Sequence, residues 1–120
     1  MALIELKNIS KTYKVGNSLS VKALSNITLN VEKGDFIALM GPSGSGKSTL
    51  MAILGLLDKP DSGSYKLNGK EISKLSNRET AVLRNKFFGF IFQSFNLLPR
   101  LNILTNVLLP FIYSEKGITK

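Results

Sequence analysis

The chain has 120 residues, 43% of them hydrophobic, with 16 basic and 8 acidic side chains and a formal net charge of +8. That length suits one domain burying about two-thirds of its unfolded surface, and the apolar share excludes a disordered chain. With neither cysteine nor histidine, a disulfide framework, a cysteine-held metal and the usual zinc ligands are excluded. The lysines are scattered and not interleaved with aromatics, so the charge reads as solvated surface with a general attraction to phosphates, and no nucleic-acid partner is expected.

The opening stretch MALIELKNISKTYK alternates polar and apolar residues, unlike a secretory signal, so the protein is expected to stay inside the cell. Leu3 to Lys7 reads as a strand that runs on toward Tyr13, followed by a Gly/Asn/Ser loop from Lys14 to Ser20. Val21 to Val31 reads as a second strand, because Ile27, Leu29 and Val31 alternate with Thr28 and Asn30 at the period of a half-buried antiparallel strand. Glu32-Lys33-Gly34-Asp35 is a tight turn, so the first 35 residues form an antiparallel flap.

Phe36 to Met40 is an apolar run long enough for a buried strand and too short for a helix. After it, Gly41-Pro42-Ser43-Gly44-Ser45-Gly46-Lys47-Ser48 fits G-x-x-x-x-G-K-[ST], the phosphate-binding loop. Gly44 and Gly46 permit backbone angles that turn successive N–H groups inward as an anion nest above a helix N-terminus. Lys47 supplies a point charge for the β- and γ-phosphates, Ser48 a hydroxyl for Mg²⁺, and Thr49 a donor for the α-phosphate. Leu50, Ile53, Leu54 and Leu57 follow at helical spacing and mark the face that packs on the sheet.

Asp58 to Gly63 is a cluster of helix breakers, and Ser64 to Leu67 a short strand closed by Asn68-Gly69 and added to the flap. Ser76 to Lys86 reads as a helix with a capping box, Ser76 followed by Glu79. Phe88 to Phe92 is a second apolar strand, and a helix-linked pair of such strands fits a parallel sheet with its ligand at their C-terminal ends, where Gln93 sits. Ser94 to Arg100 is a loop, and Asn102 caps a helix through Leu109 that Pro110 stops. The apolar stretch from Leu97 to Tyr113 is interrupted by Pro99, Arg100, Asn102, Asn106 and Pro110, so any membrane link is peripheral.

With Tyr13, GPSGSGKSTLM, ILGLLDKPDSGSY and FGFIFQSFNLLPRL in view, the whole chain resembles the ATP-binding subunits of ABC transporters, in the branch of macrolide exporters and lipoprotein-releasing complexes. The resemblance implies an α/β fold of the P-loop NTPase type: an antiparallel part at 1–35 and 64–69, a phosphate-loop core with parallel strands at 36–63 and 70–93, and the start of a helical subdomain at 94–120. It implies that ATP and Mg²⁺ bind at Gly41, Ser43, Gly44, Ser45, Gly46, Lys47, Ser48 and Thr49, and that the Tyr13 ring, not its hydroxyl, stacks on adenine. Gln93 is implied as a catalytic residue reaching Mg²⁺ and the attacking water.

The loop after Gln93, with Phe95, Leu97 and Leu98, is implied to meet a transmembrane permease; where the family usually carries Glu before Asn-Val, this chain has Thr105. A homodimer of ATP-binding subunits on the cytoplasmic face of the membrane completes the implied assembly. Asp58 ends an apolar run as a catalytic carboxylate would, but Lys59 follows where the family has Glu, and the run belongs to the helix. The LSGGQ motif, an Asp-Glu strand end and the switch histidine do not occur, so the chain reads as an N-terminal half that does not turn over ATP by itself. A guanine reader is excluded because Asn85-Lys86 is followed by Phe87-Phe88; a non-hydrolysing nucleotide or nucleic-acid binding module is the alternative.

Overall fold

The computed structural model describes residues 1–114, and the chain divides into two compact units, Met1–Leu75 and a second that begins at Ser76. The first is built on a long hairpin, β1 (Ile4–Val15) and β2 (Leu19–Val31), joined by a turn at 16–18 that is tighter than the expected loop. β3 (Ser62–Leu67) pairs antiparallel with the other side of β1, as the flap reading requires. A short strand the sequence pattern did not mark, β4 (Lys70–Glu71), pairs with β3 through the Asn68-Gly69 turn, where both residues have positive φ, 50° and 77°. That is the geometry of a two-residue hairpin turn matching the strands' own twist. The sheet order is β2-β1-β3-β4.

The hairpin is not regular. Register shifts fall between Leu6 and Ile9 and again on either side of Lys11; Asn26 takes positive φ at the second of them and Asn8 at the first. Asn is among the few residues that tolerate this conformation, and such bulges sharpen strand twist. Gly63 closes against this bulge with φ of 102°; a Cβ there would stand 2.6 Å from the Asn8 carbonyl oxygen.

Helix α1 (Lys47–Leu54) packs on this sheet, burying Leu50 and Ile53 with Leu6, Ile9, Leu24 and Tyr65. It ends earlier than the apolar spacing implies. Leu56 takes the left-handed conformation at φ 59°, and the Leu57 N–H donates to the Ala52 carbonyl, closing a Schellman motif. The reversal buries Leu56 and leaves Leu57 half-exposed at the surface, so Leu56 and not Leu57 completes the apolar face. Tyr65 is sealed beneath, its hydroxyl donating to the Leu54 carbonyl at 2.7 Å, and burial pushes its pKa well up.

In the second unit, α2 (Asn77–Phe87) has the expected capping box: Ser76 Oγ accepts from the Glu79 N–H at 3.3 Å, and the Glu79 carboxylate accepts from the Ser76 N–H at 2.9 Å. α3 (Ile103–Ile112) is capped by Asn102, whose Oδ1 accepts from both the N–H and the hydroxyl of Thr105 at 2.8 Å. It runs past Pro110 to Ile112, against the expectation that Pro110 stops it. The missing proline N–H costs a single helical bond this close to the end, and the Pro110 carbonyl accepts from the Asn85 side chain at 2.8 Å.

The runs Phe36–Met40 and Phe88–Phe92 carry no strand ladder among the described residues. Parallel strands are stable when paired and covered on both faces, and here Phe36 and Ile91 are fully exposed. Phe88, Phe90 and Phe92 stack on one another at centroid distances of 6.4 and 5.7 Å, the alternation of an extended chain.

Candidate nucleotide site

The phosphate loop joins residue 40 to α1, and its backbone has the form that its glycines predict. Gly44 and Gly46 have φ of 80° and 95°. At Gly46 the requirement is absolute, because a Cβ would stand 2.6 Å from the Ala23 carbonyl oxygen of β2. Gly46 also occupies the cap position of α1, and no side chain caps the helix there; its first turn holds no acidic residue either. The first N–H groups of α1 are therefore open to an anion.

Ser43, Gly44, Ser45, Gly46, Lys47, Ser48 and Thr49 line one pocket of about 550 Å³, together with Tyr13, Val21, Lys22 and Ala23. The volume is within the range of small-molecule sites. Tyr13 and the phosphate loop, far apart in sequence, thus meet in one cavity because β1 and β2 run side by side, with Tyr13 opposite Val21. Gly41 stands outside that lining; a Cβ on it would stand 2.7 Å from Ser45 Oγ. Lys47 Nζ donates to the carbonyls of Gly41 and Pro42, the latter at 2.9 Å, so the ammonium bridges the loop. It must exchange these carbonyls to meet a phosphate.

Behind Tyr13 lies a polar cluster that sequence reasoning missed. Asp58, set aside there as a chance resemblance to a catalytic carboxylate, accepts from the Tyr13 hydroxyl at 2.6 Å and from Lys11 Nζ at 3.1 Å. Burial pushes the Asp58 pKa up, but hydrogen bonds from Tyr13, the Lys59 N–H and Lys11 outweigh it and hold the carboxyl below its ordinary range. Burial likewise works against the Lys11 charge, and the bond and charge of Asp58 reverse that to a raised value. The Tyr13 pKa is raised chiefly by donating to Asp58; Thr49 also lies close enough to its hydroxyl to interact. The period-two spacing of Lys11 and Tyr13 was the available signal, but nothing local to the sequence pairs them with Asp58.

Gln93 belongs to the second unit, where it is exposed at the end of the Phe88–Phe92 run. The loop that follows is tied to α3 by Asn106, whose side chain accepts from the Leu98 N–H at 2.9 Å and donates to the carbonyls of Leu101 and Asn102 at 3.1 and 3.0 Å. Phe95, Leu97 and Leu98 are left exposed on it. Thr105 spends its hydroxyl on the α3 cap.

Among the described residues no group of three or more acidic side chains could hold a metal ion. The donor set still fits Mg²⁺ that arrives with a nucleotide, since this ion keeps most of its ligands from phosphates and water and needs one hydroxyl such as Ser48. No helix is long and apolar enough to cross a membrane among the described residues.

The family model for ABC transporters matches residues 24–120. The macrolide export ATP-binding/permease protein MacB of Bdellovibrio bacteriovorus is 56% identical over 117 residues, 98% of this chain and 18% of that protein. The ABC transporter ATP-binding protein YknY of Bacillus subtilis is 49% identical, covering 96% of this chain and 50% of its own. A dimeric ATP-binding cassette, MJ0796, solved in a post-hydrolysis state with ADP and Pi, superposes with a TM-score of 0.87 at 44% identity over 98% of this chain and 50% of that one. The chain thus spans half the length of YknY and under a fifth of MacB.

Proposed function

Because the chain belongs to the ABC transporter ATP-binding family, in its macrolide-exporter branch, we propose that it binds Mg-ATP as the nucleotide-binding part of an ATPase that drives transport across a membrane. The observation that carries this reading is the single pocket shared by Tyr13 and residues Ser43 to Thr49. In it the adenine stacks on the Tyr13 ring. The triphosphate lies along the nest above α1, with the Lys47 ammonium on the β- and γ-phosphates and the Thr49 hydroxyl on the α-phosphate. When bound, Mg²⁺ neutralises phosphate charge, and Ser48 is the residue of the loop that would hold it.

Gln93 is the proposed positioning group for Mg²⁺ and the attacking water, and the loop after it the contact with a transmembrane permease. An exposed apolar cluster on a loop pinned by Asn106 supports that second role. Dimerisation and a place on the cytoplasmic face of the membrane follow from the same reading. ATP turnover is not proposed for these 120 residues by themselves, because they lack the LSGGQ motif and an Asp-Glu strand end, and a general base alone contributes about 10² to 10⁴ in rate. The comparisons lend no support to the alternative, a non-hydrolysing nucleotide or nucleic-acid binding module.

Equilibrium binding of Mg-ATP to the chain and to Lys47→Ala tests the proposal. A unit charge pair at about 4 Å and an effective dielectric near 20 is worth about 4 kcal/mol before desolvation, so Lys47→Ala is expected to lose measurable binding while keeping its circular dichroism. Unchanged affinity in the folded variant would remove the phosphate-loop assignment. Gln93→Ala is expected to keep the parent's affinity; a loss comparable to that of Lys47→Ala would make Gln93 part of binding and not of turnover.

A further inference from the structure

The carboxylate of Asp58, in the turn after α1, lies outside the phosphate-binding machinery, yet it is shared by Tyr13, which lines the pocket, and by Lys11, which lies against the Tyr13 ring. Tyr13 Oη donates to its Oδ2 at 2.6 Å and Lys11 Nζ to its Oδ1 at 3.1 Å. Lys11 is itself held: its Nζ donates to the Lys59 carbonyl at 2.7 Å and stands 3.6 Å from Asp61, and its side chain is 13% exposed. Asp61 in turn accepts from the Thr12 N–H at 2.7 Å. The Lys11 ammonium also lies over the Tyr13 ring, 5.3 Å from its centroid. One face of the ring is thereby taken, and the other is the face a base can use.

We propose that Asp58 is a positioning residue for the nucleotide base: through the Tyr13 hydroxyl it holds the ring at one angle in the pocket, with Lys11 fixing the carboxylate and backing the ring's far face. The inference rests on Tyr13 serving as the base platform. A half-exposed tyrosine on a strand end otherwise rotates freely and has to be ordered when the ligand arrives, which weakens binding. A hydroxyl-to-carboxylate bond is charge-assisted and does that ordering beforehand. Stacking by itself asks nothing of the hydroxyl, whereas this arrangement makes the hydroxyl the handle by which the ring is held. It also ties the base platform to the C-terminal end of the helix whose N-terminus receives the phosphates.

The test is equilibrium binding of Mg-ATP and of Mg-tripolyphosphate, which has the phosphates and no base, to the full chain and to Asp58→Ala, Tyr13→Phe, their double variant and Tyr13→Ala. Asp58→Ala and Tyr13→Phe are each expected to weaken ATP binding about 3- to 10-fold, the share of one charge-assisted bond that goes into ordering the ring. The double variant should be no weaker than the weaker single, because both remove the same bond. Tripolyphosphate affinity should not move in any of them. Unchanged ATP affinity, additive losses, or an equal loss on tripolyphosphate would overturn the proposal, the last by reducing Asp58 to a fold-holding role. Should Asp58→Ala not fold, Tyr13→Phe decides alone, a loss on ATP without one on tripolyphosphate supporting the proposal and no loss overturning it. Tyr13→Ala separates the two levels. If it weakens ATP while Tyr13→Phe and Asp58→Ala do not, the platform stands and only the positioning falls; if it leaves ATP unaffected, the platform falls too.

Discussion

The helix with no side-chain cap belongs to the unit that has an apolar core, and the two helices with good caps belong to the unit that has none among its described residues. α1 is only eight residues long and uncapped, but it seats Leu50 and Ile53 against the sheet. α2 and α3 have a capping box and an Asn cap, yet Thr80 is the only buried residue of α2, and α3 buries none. Short helices are marginal without tertiary packing. In the first unit packing makes the helix, so it forms without a side-chain cap and its first N–H groups are left open. In the second, local hydrogen bonds define the helices while Ile91, Phe95 and Ile103 remain exposed.

The contrast is broken most strongly at Ile53, which is fully buried. Ile53→Ala is expected to cost about 2 to 5 kcal/mol and to remove hydrogen-exchange protection from α1 and β1 together. Ile91→Ala, at a fully exposed position, should stay within about 0.5 kcal/mol of the parent. Equal effects at the two positions would erase the distinction between the units.

A smaller effect is expected from the caps. Ser76→Ala should cost about 1 kcal/mol, read as faster exchange in the first turn of α2 with β1 and β3 unchanged. Loss of protection across the sheet as well would mean that the second unit supports the first.

The smallest effect sharpens the comparison by pH. Glu71 accepts from the N–H groups of Tyr65 and Ser73 at 3.1 Å and from the hydroxyls of Ser64 and Ser73. Burial pushes its pKa up, but these bonds overcome it and bring the carboxyl from the ordinary 4.5 to about 2. A folded-state value below the unfolded one means that the contribution is complete above about pH 4.5 and is lost as pH falls toward about 2. Because Glu71 is exposed, solvent screening keeps the effect modest. Acid titration of stability should therefore slope downward in that window, and Glu71→Gln should flatten the slope; an unchanged slope would assign it to other carboxylates.

What the sequence determined by itself is whatever rests on short-range chemistry. The phosphate loop, the Ser76 and Asn102 caps, the Gly34 turn and the alternation of β2 are all written within a few consecutive residues, because each depends on one backbone angle or one nearby hydrogen bond. The resemblance to ABC ATP-binding subunits, carried by longer runs of residues, was legible for the same reason. Tertiary structure alone decided the rest. Leu56 replaced Leu57 on the buried face because the chain reverses in a left-handed turn against the core, which helical periodicity cannot anticipate. β4 formed because β3 offered it an edge. The apolar runs at Phe36 and Phe88 stayed unpaired because a parallel strand exists only with neighbours, however apolar its sequence. Asp58 acquired its contacts because folding laid the turn after α1 beside β1, bringing a carboxylate within 3.1 Å of residues more than forty positions away. No spacing rule reaches that far.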